Sequence, residues 1–237
     1  MKTATQLSPG VERLEERQIR NWELARAQRA HKKLAPKRVH DFVAISRQVG
    51  SGGHEVAQLL GERLGWPLFD KEILHAMAGN DAVRERLYQA LDEREVGWLE
   101  QILDVIIDGR FSAANYFHRL SKGVLLLAHG APSIFLGRGA DLILPADQGV
   151  RVRLVAPLRD RVRRFAKLTG VDENTARQKV LDLDHARHDF VRSHFRKDID
   201  DPSRWDLTIN TSRLSPAQTV ELILHLMREH GIATDHI

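Results

Sequence analysis

Short apolar runs alternate along this chain with longer stretches in which apolar residues recur every three or four positions. The short runs are typical of buried strands: Phe42–Ser46, Pro67–Phe69, Ser133–Leu136, Val150–Ala156 and Leu207–Asn210. The longer stretches predict helices: His54–Leu64, Lys71–Ala78, Asp81–Ala90, Val96–Asp108, Phe111–His129, Leu158–Leu168, Glu173–Phe195 and Pro216–His230. Because alternating strands and helices form right-handed βαβ units, the pattern predicts an α/β domain with a parallel, five-stranded sheet.

Residues 1–38 differ from the rest of the chain in charge. They carry ten Lys and Arg against four Glu, whereas the whole chain has a net charge of only +4. Ser8 followed by Pro9 predicts the start of a helix that runs to about Leu34 with a modest apolar stripe through Trp22. We expect this basic arm to pack on the domain or on a partner chain. Nucleic acid is an unlikely partner, since Trp22 is the one aromatic residue among the charges.

Composition excludes several classes of protein. The chain of 237 residues has 42% hydrophobic and 29% charged residues, which is ordinary for a globular domain. It has no cysteine, so disulfides and cysteine-based metal or redox sites are excluded. Without an apolar run of roughly 20 residues or a secretory signal pattern, we expect no membrane association and a cytoplasmic location.

The segment after the first predicted strand carries the strongest chemical signal. Gly50, Ser51, Gly52, Gly53 and His54 form a glycine-rich turn that leads into a helix. Glycines allow backbone N–H groups to approach an anion, and the helix N-terminus adds a positive dipole end, so the segment predicts a phosphate cradle. A tight turn that only lets the helix pack on the strand is the alternative.

The loop departs from the usual P-loop pattern GxxxxGK[ST]. Gly53 stands at the lysine position, His54 at the Ser/Thr position, and Arg47 where the first glycine would be. The planar guanidinium of Arg47 suits phosphate and could replace the missing cation from a different point of the loop.

Two further motifs follow predicted strands, where ligands of parallel sheets bind. Asp70 comes after the second strand and either caps the next helix or meets an acceptor substrate. Arg138 lies between Gly137 and Gly139, and an arginine between glycines predicts contact with a phosphate or another ligand.

Charged helices lie in the second half of the chain. The arginines between Arg159 and Arg164 predict a mostly solvated face, with one side chain able to reach a nucleotide base. Asp184, Arg187, His188 and Arg192 share a face of the following helix. That helix is either an exposed, ion-paired helix or a lid whose arginines close over a transferred phosphoryl group. The histidine spacing there matches no metal motif, so we expect no protein-bound metal centre.

Together these segments resemble the cytidylate kinase-like family of P-loop proteins. The resemblance rests on the following segments: Ser46-Arg47-Gln48-Val49-Gly50-Ser51-Gly52-Gly53, Phe69-Asp70-Lys71-Glu72, Gly137-Arg138-Gly139, Ala156-Pro157-Leu158-Arg159-Asp160-Arg161, Asp184-His185-Ala186-Arg187 and Trp205–Thr211. The resemblance covers about Asp41 to Met227, and residues 1–38 lie outside it.

The resemblance implies a nucleoside-monophosphate-kinase fold over residues 39–237. It implies a helical acceptor-binding insert at 71–130 and a lid at 173–204, with Asp182 or Asp184 supporting the lid arginines. It also implies ATP and Mg²⁺ as cofactors, with Asp141 and Asp70 as candidates to hold Mg²⁺ through water.

We therefore expect an ATP-dependent phosphotransferase that acts on a nucleoside monophosphate such as CMP, or on a related small acceptor. In this hypothesis Arg47, Arg187 and Arg192 are catalytic, and Gly50, Ser51, Gly52, Gly53 and His54 bind the ATP phosphates. Asp70 and Arg138 bind the acceptor, and Asp184 supports the lid. The alternative is a catalytically silent, nucleotide-binding regulatory protein, and a homodimer is possible in either case.

Overall fold

The computed structural model describes residues 9–31, 39–80 and 116–234, with single positions 85, 87, 97, 99 and 103 between them. Five strands are described: β1 (Phe42–Arg47), β2 (Leu68–Phe69), β3 (Ser133–Leu136), β4 (Val150–Val155) and β5 (Leu207–Asn210). The α-helices with described bounds are α1 (Pro9–His31), α2 (Gly53–Leu64), α3 (Lys71–Gly79), α4 (Tyr116–Gly130), α5 (Ala140–Ile143), α6 (Leu158–Thr169), α7 (Glu173–Phe195) and α8 (Pro216–Glu229). A 3-10 helix spans Pro202–Arg204.

The five strands form one parallel sheet in the order β2-β3-β1-β4-β5. β1 lies at the centre, where Val43 pairs with Ile134 of β3 on one side and with Val150 of β4 on the other. Since the strands are parallel, the segments that follow β1, β2 and β3 meet at one edge of the sheet. The predicted fold class, a parallel five-stranded sheet flanked by helices with an additional N-terminal helix, is confirmed.

Successive residues of the strands point to opposite faces of the sheet and form an apolar layer on each face. Phe42, Ala44, Phe69 and Phe135 point to the face covered by α3 and α4. The neighbouring strand residues point to the opposite face, which α2 and α8 cover: Val43, Ile45, Leu68, Ile134 and Leu136. Both faces are buried, which explains why these strands appear in the sequence as continuous apolar runs.

The predicted elements match the observed ones to within a residue or two at most ends. Two short elements were missed, α5 and the 3-10 helix at Pro202–Arg204. The predicted helices Asp81–Ala90 and Val96–Asp108, and residues 111–115, lie outside the described bounds, although three single positions there are helical and buried: Leu87, Leu99 and Leu103.

Helix α1 packs on the domain, so the first of the two expectations for the basic arm is confirmed. Trp22 is only 3% exposed and donates from its indole Nε1 to the Leu127 carbonyl at 2.8 Å. Its ring fills the space beside Gly130, where an added Cβ would lie 1.9 Å from a ring carbon. Gln18 accepts a hydrogen bond from the backbone N–H of Leu68 at 3.2 Å and so covers the open edge of the sheet at β2. No described helix combines the length and the apolarity that crossing a bilayer requires.

Candidate functional site

The glycine-rich turn joins the central strand to α2 in a backbone form that needs glycine. Gly50 and Gly52 both have φ of +79°, and a Cβ on Gly50 would lie 2.4 Å from the Arg161 carbonyl oxygen. Gly52 is the N-cap of α2, and no side chain caps this helix. The N–H groups that precede Val56 at the start of this helix therefore have neither an intrahelical acceptor nor a side-chain cap and, together with the helix dipole, favour a bound anion.

Hydrogen bonds outside the turn hold it in this form. The Ser51 hydroxyl donates to the Gln48 carbonyl at 2.9 Å, and the Thr211 hydroxyl donates to the Ser51 carbonyl at 2.8 Å. Arg161 donates to the Val49 carbonyl at 3.1 Å. Because Ser51 is fully buried and bonded, its hydroxyl belongs to the scaffold of the turn rather than to its ligand-facing side.

The side chain of Arg47 runs between two glycines. A Cβ added to Gly53 would lie 2.7 Å from Arg47 Cγ, and one added to Gly137 would lie 2.1 Å from Arg47 Nη1. A lysine at position 53 would therefore start in space that Arg47 already fills. Arg47 thus occupies the space that a lysine at position 53 would need. The loop has a cation that comes from the end of β1 in place of the P-loop lysine.

Arg47 lies on the wall of a cavity of about 150 Å³ at the carboxyl edge of the sheet. Four more cationic residues line this cavity: Lys71, Arg138, Arg187 and Arg204, the last of which pairs with Asp141. Apolar residues of α7 face the same space: Leu183, Ala186, Phe190 and Val191. The cavity therefore combines a strongly basic wall with an apolar covering helix.

Asp184, which lies 3.8 Å from Arg187, offsets only part of the positive charge of this wall. Burial, and then the nearby Arg187, lower the pKa of Arg47 to about 9, with Asp70 opposing the shift. Burial also lowers the pKa of Arg187 and of Lys71, and for Lys71 the charge of Arg138 adds to the effect. Cations that destabilise one another in a buried site favour an anionic ligand, because the anion restores the solvation that burial removed.

Arg138 is held in a strained backbone conformation at this site. Its φ is +56°, between Gly137 at +85° and Gly139 at +68°. A left-handed non-glycine residue costs roughly 1–2 kcal/mol, and such residues cluster at functional sites. Its guanidinium lies 4.9 Å from the Phe190 ring centroid, and its Nε is buried without a hydrogen-bond partner among the described residues.

Asp184 links α7 to the glycine turn. Its carboxylate accepts from the Val49 backbone N–H at 2.8 Å and from Arg161 at 2.5 Å. Arg187, one turn further on, donates to the Arg47 carbonyl at 2.7 Å and lies 3.8 Å from Asp184. Asp182, the other candidate, is exposed and instead accepts a hydrogen bond from Gln178 at 2.8 Å.

The structure brings most of the predicted site residues together, but not all of them. Arg47, Arg138 and Arg187 meet in the cavity, whereas Arg192 is exposed and is not among the residues that line it. On α6, Arg159 and Arg163 are exposed as expected, whereas Arg161 departs from the solvated face, because it is buried and bonded to Asp184. The segment from Ala156 to Arg161 ends at this residue, but no local pattern predicts its burial, since the Val49 carbonyl that it binds lies 112 positions away.

Asp70 caps the N-terminus of α3 with one carboxylate oxygen and leaves the other oxygen without a backbone partner. Its Oδ1 accepts from the N–H groups of Glu72 and Ile73 at 3.0 Å each, while its Oδ2 lies 3.9 Å from His54 Nδ1. Asp141, the other candidate for holding Mg²⁺, is bound to Arg204 and so does not fit a metal ion. Asp70 Oδ2 is therefore the better oxygen for Mg²⁺.

The insert predicted at 71–130 offers three aromatic residues for stacking on a base, Trp98, Tyr116 and Phe117, with helical packing as the alternative explanation. The two that the structure describes have protein neighbours. Phe117 is fully buried and packs edge-on against Phe195 with ring centroids 5.0 Å apart. Tyr116 lies 5.2 Å from the His75 ring. Trp98 lies outside the described residues.

The parallel sheet, the glycine turn and the cationic cavity define a P-loop kinase type of architecture, and comparison with known proteins agrees. The chain belongs to the cytidylate kinase-like family, whose sequence profile matches residues 42–213. The expected resemblance is thus confirmed, and the family supports the expected enzyme class, a nucleotide kinase. Helix α1 lies outside the matched residues.

Individual relatives are distant. A cytidylate kinase of Methanopyrus kandleri is 26% identical over 76% of this chain and 90% of its own length. One of Staphylothermus marinus is 31% identical over 31% of this chain, a match that spans only 42% of that enzyme. The crystal structure of an uncharacterized protein from Eubacterium ventriosum has a TM-score of 0.65 at 20% identity, over 80% of this chain and 99% of that one. This last likeness concerns the fold alone.

Proposed function

We propose that the protein is an ATP-dependent phosphotransferase acting on a nucleoside monophosphate, CMP-like in kind, or on a related small acceptor. The observation that carries this proposal is the group of cations that line one cavity and lower one another's pKa, beside an uncapped helix N-terminus. Phosphoryl transfer requires little covalent help from a protein, but it does require positive charge around the moving group and exclusion of water.

Some residues of the site bind ATP, the phosphoryl donor, and others bind the phosphoryl acceptor. The N–H groups from Gly50 to His54 bind the phosphates of ATP, and Arg47 supplies the charge that a lysine supplies in other P-loops. Arg138 holds the acceptor, and Arg187 stabilises the charge that develops in transfer. An acceptor phosphate oxygen forms a bond to the γ-phosphorus while the bond from that phosphorus to the oxygen of ADP breaks.

Mg²⁺ would be held by the phosphates and, through water, by Asp70. When bound, the ion supplies charge neutralisation between the β- and γ-phosphates. Asp70 also opposes the lowering of the Arg47 pKa, so it already acts on the cation at the centre of the site.

Helix α7 acts as the lid in this proposal. The cavity of about 150 Å³ is smaller than the roughly 300–1,000 Å³ of common small-molecule sites. A whole nucleotide therefore requires that α7 move away, and the Asp184 contacts to Val49 and Arg161 are the polar links that such a motion would break.

A nucleotide-binding regulator without kinase activity is the second candidate. It is favoured by His54 at the position of the usual Ser/Thr, and by the pairing of Asp141 with Arg204, which removes one carboxylate from metal binding. A homodimer and a cytoplasmic location stay predictions in both cases.

A phosphoryl-transfer assay with Mg·ATP against CMP, dCMP, UMP, AMP and GMP separates the candidates. The proposal predicts ADP release with at least one acceptor, and its loss in Arg47→Ala and Arg187→Ala. Arg63→Ala is the matched control, because Arg63 is half-exposed on α2 and pairs with Glu221 at 2.9 Å, outside the cavity lining. ATP binding without turnover for every acceptor would favour the regulator.

A further inference from the structure

A buried ion pair on the cavity wall has no part in the proposed chemistry. Asp141 lies in α5 and Arg204 ends the 3-10 helix that follows α7, and their side chains are only 7% and 8% exposed. Both residues line the cavity that holds Arg47. Desolvation makes a buried ion pair a weak source of stability, so its position in a ligand cavity calls for another explanation.

The guanidinium of Arg204 is only partly used by the protein. Its two terminal nitrogens donate to the Asp198 carbonyl and to the Asp141 carboxylate. Its Nε is buried and has no hydrogen-bond partner among the described residues. The Trp205 ring, whose centroid lies 4.9 Å from the guanidinium carbon, supports the group from a neighbouring position. An orphaned buried donor costs about 1–3 kcal/mol, which a ligand atom that accepts its hydrogen would recover.

The cavity therefore has two chemically different walls. Arg47, Arg138 and Arg187 form a wall with net positive charge, whereas the charges of Asp141 and Arg204 cancel. Neutral, polar groups such as carbonyl oxygens or ring nitrogens suit the second wall, because they accept a hydrogen bond without adding charge to a balanced pair.

We propose that Arg204, held by Asp141, is a specificity-determining residue that donates from Nε to the uncharged part of the acceptor. This deepens the proposed function, on which it rests for the assignment of the cavity to the acceptor. The acceptor class is then a phosphate monoester with a neutral, polar body, in contrast to polyanions that carry charge at both ends.

Calorimetric titration of the protein with CMP, UMP, AMP, GMP and inorganic pyrophosphate tests this proposal. Arg204→Lys keeps the charge next to Asp141 but removes the Nε–H. We expect it to weaken the tightest-binding nucleoside monophosphate by about 10- to 100-fold, the range for one hydrogen bond from a charged donor. Pyrophosphate, which lacks a neutral body, should bind to Arg204→Lys as to the unchanged protein, and Arg63→Lys should resemble the unchanged protein throughout.

Three outcomes would overturn the inference. They are equal weakening of pyrophosphate and nucleotide, wild-type nucleotide affinity in Arg204→Lys, and no nucleotide binding by the unchanged protein. If Arg204→Lys fails to fold, the Arg204 Nε–H signal of the ¹⁵N-labelled wild type decides, since it must shift with nucleotide and stay in place with pyrophosphate. Binding without phosphoryl transfer would contradict the proposed kinase activity and leave this inference intact.

Discussion

The two longest helices among the described residues, α1 and α7, are each 23 residues long, and they differ in the contacts that hold them to the domain beyond the apolar packing of Ala176 and Val180 of α7. α1 is attached by shape: Trp22 fills the space beside Gly130, and its one indole hydrogen bond is buried. α7 is attached near the cavity by charge, through Asp184, Arg161 and Arg187. Apolar packing gives a permanent contact, whereas ion pairs and hydrogen bonds at a cavity can be exchanged for those of a ligand.

Under the proposed function α7 takes part in catalysis and α1 contributes stability alone, so Arg187→Ala should give the largest effect on turnover. Loss of a donor that stabilises transition-state charge typically costs about 10²–10³ in kcat. Steady-state rates with the best acceptor measure the loss. Arg187→Ala with unchanged kcat would show that α7 is not part of the catalytic apparatus.

On α1, Trp22→Ala should affect folding and leave chemistry alone. Removing a buried tryptophan costs about 3–5 kcal/mol, measured by denaturant unfolding. Per folded molecule, kcat should stay within a few-fold of wild type. Leu24→Ala is the matched control, since Leu24 is 57% exposed on the same helix and should change stability by less than about 0.5 kcal/mol. A collapse of kcat in folded Trp22→Ala would contradict the division between the two helices.

A pair of glycine substitutions in α4 tests the packing of α1 directly. Gly130→Ala places a methyl group 1.9 Å from the Trp22 ring and should destabilise by about 1–3 kcal/mol through overpacking. Gly123→Ala, in the same helix, meets nothing within 4 Å and should be neutral or slightly stabilising. Faster proteolysis of α1 in the first variant only is the expected result, and equal rates would contradict it.

Asp184→Asn should affect both the stability of the protein and the attachment of α7. It leaves Arg161 without its anionic partner and weakens the link from α7 to Val49, at a cost of about 2–3 kcal/mol. We expect faster hydrogen exchange over α7 with little change over α1. Equal protection of α7 in both proteins would show that Asp184 does not hold this helix.

The smallest predicted effect is the uptake of protons by Arg47 when phosphate binds. Burial and Arg187 place the pKa of Arg47 at about 9 in the free protein, and a bound phosphate raises this pKa. Phosphate binding should therefore take up protons near and above pH 9, and affinity should fall as pH rises through that range. Calorimetry in buffers of different ionisation enthalpy measures the uptake. Proton uptake of the same size in Arg47→Ala would assign it to another group.

Sequence patterns predicted the sheet well because its strands are buried on both faces and therefore strongly apolar. They also predicted that Arg47 lies at the glycine loop, since its place there is local, while its role as the replacing cation stays a prediction. They failed where the contacts are distant. Arg161 looks like its solvated neighbours, because the Val49 carbonyl and Asp184 that bind it come from other parts of the chain.

Helical geometry explains why Arg192, which was predicted to be catalytic, does not line the cavity. Asp184, Arg187 and Val191 follow the three- and four-residue spacing of one helix face, and the structure turns that face towards the loop and the cavity. Arg192 is one residue beyond Val191, which rotates its side chain by about 100° to the solvent side. Of the four residues predicted to share a face, Asp184 and Arg187 reach the loop and the cavity, whereas His188 lies 3.3 Å from Asp200 and Arg192 is exposed.

The central claim is that Arg47 fills the place of the P-loop lysine. The most direct test is calorimetric binding of Mg·ATP to Arg47→Ala, Gly53→Lys and the double variant. We predict a loss of about 100-fold or more for Arg47→Ala, a loss for Gly53→Lys because the new side chain meets Arg47, and partial recovery in the double variant. Wild-type affinity in Arg47→Ala, or strictly additive losses in the double variant, would contradict the claim.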